Sequence, residues 1–140
     1  DYESTLAVLL NMIIPADDER RLPSASEVDF LGFLRNQELL PWVREGLGMV
    51  VQEARKTMGL EFLELSDAEQ QEIVATVRRK HFRFFATLTN QVVQCYYQHD
   101  RVVKALGLEP RPPFPQGYLV EEGDLCLLES VFERGPIYRD

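Results

Sequence analysis

A chain of 140 residues, 45% apolar and 27% charged, has the length for one core and the composition of a folded globular protein. Its net charge of −8 disfavours a nucleic-acid partner, because gripping phosphates needs a basic patch. No apolar run approaches the roughly 18 residues of a membrane-spanning helix, so none is expected.

The expected first helix runs from Glu3 to Ile14, with Leu6, Leu10 and Ile13 at helical spacing and Leu9 beside them. Pro15 stops it. A charged loop follows, carrying Asp17, Asp18 and the pair Arg20-Arg21. The two aspartates are read as helix-terminating and solvent-facing rather than as metal ligands. No leader is visible in these residues: Arg20 and Arg21 are adjacent, but no apolar region follows them.

Ser26, with Asp29 three residues on, reads as a capping-box variant opening a second helix. Val28, Leu31 and Leu34 give its inner face, widened by Phe30 and Phe33. Leu40-Pro41 marks a break, and Pro41 suits the first turn of a third helix. Its stripe is Val43, Leu47, Val50, Ala54 and Met58, and Gly59 suits its C-terminal cap. Gly46 and Gly48 each cost about 1 kcal/mol relative to alanine inside a helix. Either they admit the close approach of a neighbouring backbone or the helix begins after them.

Ser66-Asp67-Ala68-Glu69 is a capping box, with acids in the first turn where the helix dipole favours them. The fourth helix spans 67–80, and its stripe of Ile73 and Val77 continues in phase into the stretch 81–98. These are one long helix or two separated by a kink. Arg78-Arg79-Lys80 is read as a solvated flank.

The stretch His81 to Gln98 organises the rest. On a helix, His81, Phe84, Phe85, Leu88, Val92, Cys95 and Tyr96 share one face. Phe82, Ala86, Val93 and Tyr97 form a second apolar stripe beside it. The remaining polar strip holds Arg83 as its one charge. A surface helix ordinarily has one apolar stripe and a charged back. This one is expected to be the central helix of a bundle, or to have a flank covered by another protein.

Asp100 is expected to cap a short helix over 101–106, ended by Gly107. The run 108–118, with Pro110, Pro112, Pro113 and Pro115, is expected to be extended over the bundle surface. Asp124 is placed as the cap of a last helix through Phe132, closed by Gly135-Pro136. The expectation is therefore one all-α domain over 1–140, a bundle of five to seven helices with a proline-rich surface segment.

Catalytic chemistry is not legible in these residues. The chain has two histidines. His81 is read as a core or cap-region residue, and His99 as a residue of a helix end. Neither follows a glutamate at the spacing of di-iron bundles, because positions 78 and 96 are Arg78 and Tyr96. Glycine-rich phosphate loops and paired-cysteine motifs are missing. Glu121, Glu122 and Asp124 are read as a solvated turn. Cys95 and Cys126 are expected to be free thiols, Cys95 because it falls on the core face of its helix. No catalytic, cofactor-binding or metal-binding residue is nominated.

The order of the motifs is informative. Ile14-Pro15-Ala16-Asp17 follows the first helix, then come Leu65-Ser66-x-x-Glu69-Gln70, Phe84-Phe85, Tyr96-Tyr97, Lys104-Ala105-Leu106-Gly107 and Pro115-x-Gly117-Tyr118. From about Leu6 to Tyr118 the chain resembles the gluconate 2-dehydrogenase subunit 3 family. That resemblance implies an accessory subunit without a cofactor of its own. Its partner would be a FAD-containing large subunit of the glucose-methanol-choline type, oxidising a sugar, sugar acid or polyol. A cytochrome c subunit often takes the electrons. The resemblance implies a periplasmic or inner-membrane-associated complex, although no leader is seen here. The segment 119–140 falls outside the pattern. Phe82, Tyr97, Phe114 and Tyr118 are the expected partner anchors, since obligate interfaces are aromatic-rich and poor in charge. The alternative is a stand-alone helical adaptor or small-molecule-binding domain with a pocket near His81 or Tyr96.

Overall fold

The computed structural model describes residues 2–110 and 123–135. Among them are seven α-helices and no strand: α1 (Tyr2–Ile13), α2 (Phe30–Asn36), α3 (Leu40–Met58), α4 (Asp67–Lys80), α5 (Phe82–Gln98), α6 (Asp100–Ala105) and α7 (Glu129–Arg134). The expected all-α bundle is therefore observed. The chain divides into two compact units, 1–110 and 111–140. The proline-rich run from 111, with Phe114 and Tyr118, lies outside the described residues.

The first unit is built around α5, which packs against α1, α2, α4 and α6. A continuous core joins Leu6, Leu9 and Leu10 of α1 to Phe30 and Leu34 of α2. It continues through Val43, Leu47, Val50 and Ala54 of α3, Ile73 and Val77 of α4, and the inner face of α5. Val102 seats α6 on the same core. The periodicity that marked these positions in the sequence is the periodicity that buries them. Met58 and Ile13, at the ends of their stripes, are only partly buried.

Three local expectations change, and one alternative left open is decided. The second helix starts later than expected: a single 3-10 turn, Ala25–Glu27, comes first. There the Glu27 carboxylate accepts the Ser24 backbone N–H at 2.8 Å. Asp29, not Ser26, is the N-cap of α2, and its carboxylate accepts the Gly32 N–H at 2.8 Å. An aspartate accepts this bond as readily as a serine, so sequence offered two competing caps three residues apart. Second, α6 starts at Asp100 with His99 as its N-cap, so Asp100 serves the first turn electrostatically rather than as the cap.

Third, α4 and α5 are separate helices. His81, at φ −126 and ψ 50, leaves the helical region, although its N–H still closes the last turn of α4 on Val77 O at 2.8 Å. The break turns His81 out to solvent, so of its two expected places, core or cap, it takes the cap. Fourth, Asp124 caps the 3-10 turn Leu125–Leu128, through the Cys126 N–H at 3.0 Å, and that turn runs on into α7.

The other punctuation is as expected. Ser66 caps α4, with Glu69 returning the bond to the Ser66 N–H at 2.9 Å. Pro41 sits in the first turn of α3, and Gly59 ends it at φ 72, a left-handed conformation that side chains resist. The charged loop after α1 is a tight turn in which Asp17 and Leu22 exchange both backbone bonds at 3.0 and 2.9 Å. Buried Gln70 ties the Phe62–Glu64 turn to α4 by donating to Phe62 O at 3.1 Å.

Candidate functional site

The inner face of α5 is closed by specific contacts. Phe84 lies 4.9 Å from Trp42 and 5.3 Å from Phe85, ring centre to ring centre. It also fills the space over Gly46: a Cβ on that residue would come within 1.9 Å of the Phe84 ring. Gly46 therefore admits a neighbouring ring, not a backbone, and α3 runs through both its glycines. A Cβ on Gly48 would meet nothing within 4 Å. Tyr96 is buried, and its hydroxyl donates to Pro23 O at 2.7 Å. That bond ties the C-terminal end of α5 to the segment after the charged turn. Burial pushes the Tyr96 phenol above its ordinary range.

The second stripe behaves differently. Phe82 is 69% exposed, Tyr97 54% and Val93 38%, with Ala86 exposed between them. At 1.5 Å per residue the stripe extends about 22 Å from Phe82 to Tyr97. No charged residue occurs from Phe84 to Gln98. A long, aromatic-ended, charge-free strip is uncommon on a chain this acidic. It has the composition of the centre of a protein–protein interface.

Grooves flank the helix. One, of about 500 Å³, lies beside Tyr96 and Tyr97 against Ile14, Pro15, Asp17 and Leu22. Another, of about 520 Å³, is bordered by Arg83, Phe84, Thr87, Trp42 and Met49. Trp42 drew no role from the sequence. The signal available was its seven-residue spacing from Met49, two turns along one side of α3. A third groove, of about 410 Å³, lies between α1 and α3, lined by Tyr2, Gly48, Val51, Arg55 and Phe62.

None of these surfaces carries a nucleophile with a base. Burial raises the Cys95 thiol, which donates to Asp29 O at 3.9 Å, so its thiolate is suppressed. Cys126 is exposed, and both cysteines are free thiols. Backbone positions occupy His99, which ends α5 and starts α6, while its Nδ1 is buried without a hydrogen-bond partner. Among the described residues no three His, Cys, Asp or Glu side chains gather to hold a metal. No helix among them is long and apolar enough to cross a membrane. Arg78, Arg79 and Lys80 are exposed, and Lys80 pairs with Glu53 at 2.6 Å. Asp18 faces solvent, while Asp17 caps the Arg20 N–H at 3.1 Å.

Of the four expected anchors, the structure places Phe82 and Tyr97 on one exposed strip. Phe114 and Tyr118 lie outside the described residues. A family model described as gluconate 2-dehydrogenase subunit 3 matches residues 1–109. The match stops short of Pro115-x-Gly117-Tyr118. Comparison with curated proteins and with solved structures gave no match.

Proposed function

The chain belongs to the gluconate 2-dehydrogenase subunit 3 family, and on that premise we propose that it is the non-catalytic small subunit of a flavin-dependent dehydrogenase. It binds and stabilises a FAD-containing large subunit of the glucose-methanol-choline type, which oxidises gluconate, a sugar or a polyol. The FAD belongs to that large subunit. A cytochrome c subunit would accept the electrons, in a periplasmic or inner-membrane-associated complex, and assistance with export fits the same role.

One observation carries this reading. The central helix of the bundle leaves Phe82, Val93 and Tyr97 exposed along a strip without charge. Truncating an aromatic anchor at an interface commonly costs 2 kcal/mol or more, about 30-fold in affinity. The test co-expresses the chain with the large subunit of its dehydrogenase and measures co-purification. Wild type should form a stable stoichiometric complex. Phe82→Ser with Tyr97→Ser should lose it, while the thermal midpoint of the isolated chain stays unchanged. Phe114→Ala and Tyr118→Ala should weaken the complex more than they lower that midpoint. Absence of a complex with wild type would refute the proposal. The groove beside Tyr96 favours a second reading, a stand-alone small-molecule-binding domain. That reading predicts a partner-free monomer whose melting rises with a bound metabolite.

A further inference from the structure

The break between α4 and α5 concentrates positive charge. Arg78, Arg79, Lys80 and Arg83 fall within one run of residues, 78–83, and every residue of that run is exposed. They are four of the 15 lysines and arginines in a chain of net charge −8. Little of this charge is neutralised by the fold. Lys80 pairs with Glu53 at 2.6 Å, but Arg79 bonds the uncharged Thr76 hydroxyl at 3.1 Å. Among the described residues Arg78, Arg79 and Arg83 make no ion pair, although Glu45 lines the same groove as Arg83. The run also contains Phe82, 69% exposed, the first anchor of the α5 strip. One end of the charge-free strip therefore wears a basic collar.

A cluster of one sign around an exposed ring complements an acidic surface with an apolar patch. An anionic membrane is a poor match. Lying along the strip, it would also meet Asp17, Asp18 and Glu19, which line the groove beside Tyr97 at the other end, and would be repelled there. A second copy is acidic overall, but a two-fold pair lays each flank of α5 against the same flank of its copy. Helical spacing puts Arg83 on the flank of Asn90 and Gln94, whereas the acids stand on the Tyr96 side. Self-pairing thus leaves Arg83 without an acid. A different protein is under neither constraint.

We infer that Arg78, Arg79 and Arg83 seat an acidic patch of the dehydrogenase large subunit against the Phe82 end of the α5 strip. This rests on the function proposed above and adds a direction to it: the partner's carboxylate-rich rim meets Phe82 and not Tyr97. Charges at the rim of an interface act chiefly on encounter, raising the association rate and fixing register. The collar accordingly sets how fast and which way round the partner docks, and the apolar strip sets how long it stays.

The test uses the full chain and its large subunit, with association and dissociation rates measured from low to high salt. Arg78→Glu with Arg79→Glu should slow association about 10-fold at low salt and flatten its salt dependence, with dissociation little changed. Adding Arg83→Glu should deepen the loss. Arg78→Lys with Arg79→Lys should keep the wild-type rates, because charge is what the partner reads. None of these changes should move the melting of the isolated chain, since the side chains are exposed. Unchanged association in the Arg78→Glu, Arg79→Glu variant overturns the collar and leaves the proposed function standing. Two other results do the same, each with complex rates unaltered by the reversal. One is wild-type binding to vesicles of equal parts phosphatidylglycerol and phosphatidylcholine that the reversal abolishes. The other is a wild-type homodimer that the reversal dissociates. No complex with wild type overturns both.

Discussion

Tyr96 and Tyr97 are neighbours in sequence, with rings 5.3 Å apart at 87°, and they do opposite work. Tyr96 is buried and hydrogen-bonded to Pro23 O. Tyr97 is more than half exposed. The same contrast runs along the helix, with Phe84 and Phe85 in the core and Phe82 out in water. Composition does not separate the two faces of α5; the neighbours packed against them do. One face is complete within the chain, and the other is available to something else.

The largest test of that contrast is a pair of phenylalanine truncations. Phe85→Ala should cost about 3–5 kcal/mol, the usual result of emptying a packed aromatic site. Phe82→Ala should change stability by no more than about 0.5 kcal/mol, as exposed substitutions do. Chemical denaturation of both variants measures the difference; similar losses would mean that Phe82 is internal packing. The glycines of α3 come next. Gly46→Ala should destabilise by about 1–3 kcal/mol, because its methyl group would overlap the Phe84 ring. Gly48→Ala should stabilise by up to about 1 kcal/mol, since nothing stands near its Cβ and alanine is the better helix former.

The tyrosines give a smaller difference. Tyr96→Phe leaves the buried Pro23 carbonyl without its donor and should cost about 1–3 kcal/mol. Tyr97→Phe should leave the melting temperature unchanged. The mildest effect concerns acid. Hydrogen bonds from the Ser66 hydroxyl and backbone hold the Glu69 carboxyl below the usual carboxylate range. The Ser24 N–H, then Arg101, does the same for Glu27. Groups depressed in the folded state add stability above their unfolded pKa and lose it as pH falls through the folded value. Glu69→Gln should therefore flatten the acid limb of stability against pH. It should not affect complex formation at neutral pH, because Glu69 is not among the exposed residues of the α5 strip.

Much of the bundle was legible because helices announce themselves locally. The Ser66–Glu69 box, Pro41, Gly59 and the inner face of α5 each depend on residues within a few positions of one another. The misplacements share a cause. Ser26 and Asp29 are both competent caps, and only the packing of Val28 and Phe30 against the core decides which one the chain uses. His81 continues the stripe of α4 in phase, but a backbone break rotates it outward. The candidate site was half legible: the second stripe of α5 was visible as a pattern, while the grooves beside it, and the part played by Trp42, depend on α3 lying alongside.

By itself, the sequence determined an all-helical chain, its main stops and caps, and the residues of its core, since a 3.6-residue period and local capping chemistry act over one or two turns. Motif order likewise identified the family. Tertiary structure alone decided which apolar residues are left uncovered. Burial is a property of contacts between distant segments, so two equally apolar stripes on one helix became a core face and an exposed strip. It also decided why α3 needs a glycine at 46 and not at 48: the Phe84 ring, nearly forty positions along the chain, occupies the space of one missing Cβ and not of the other.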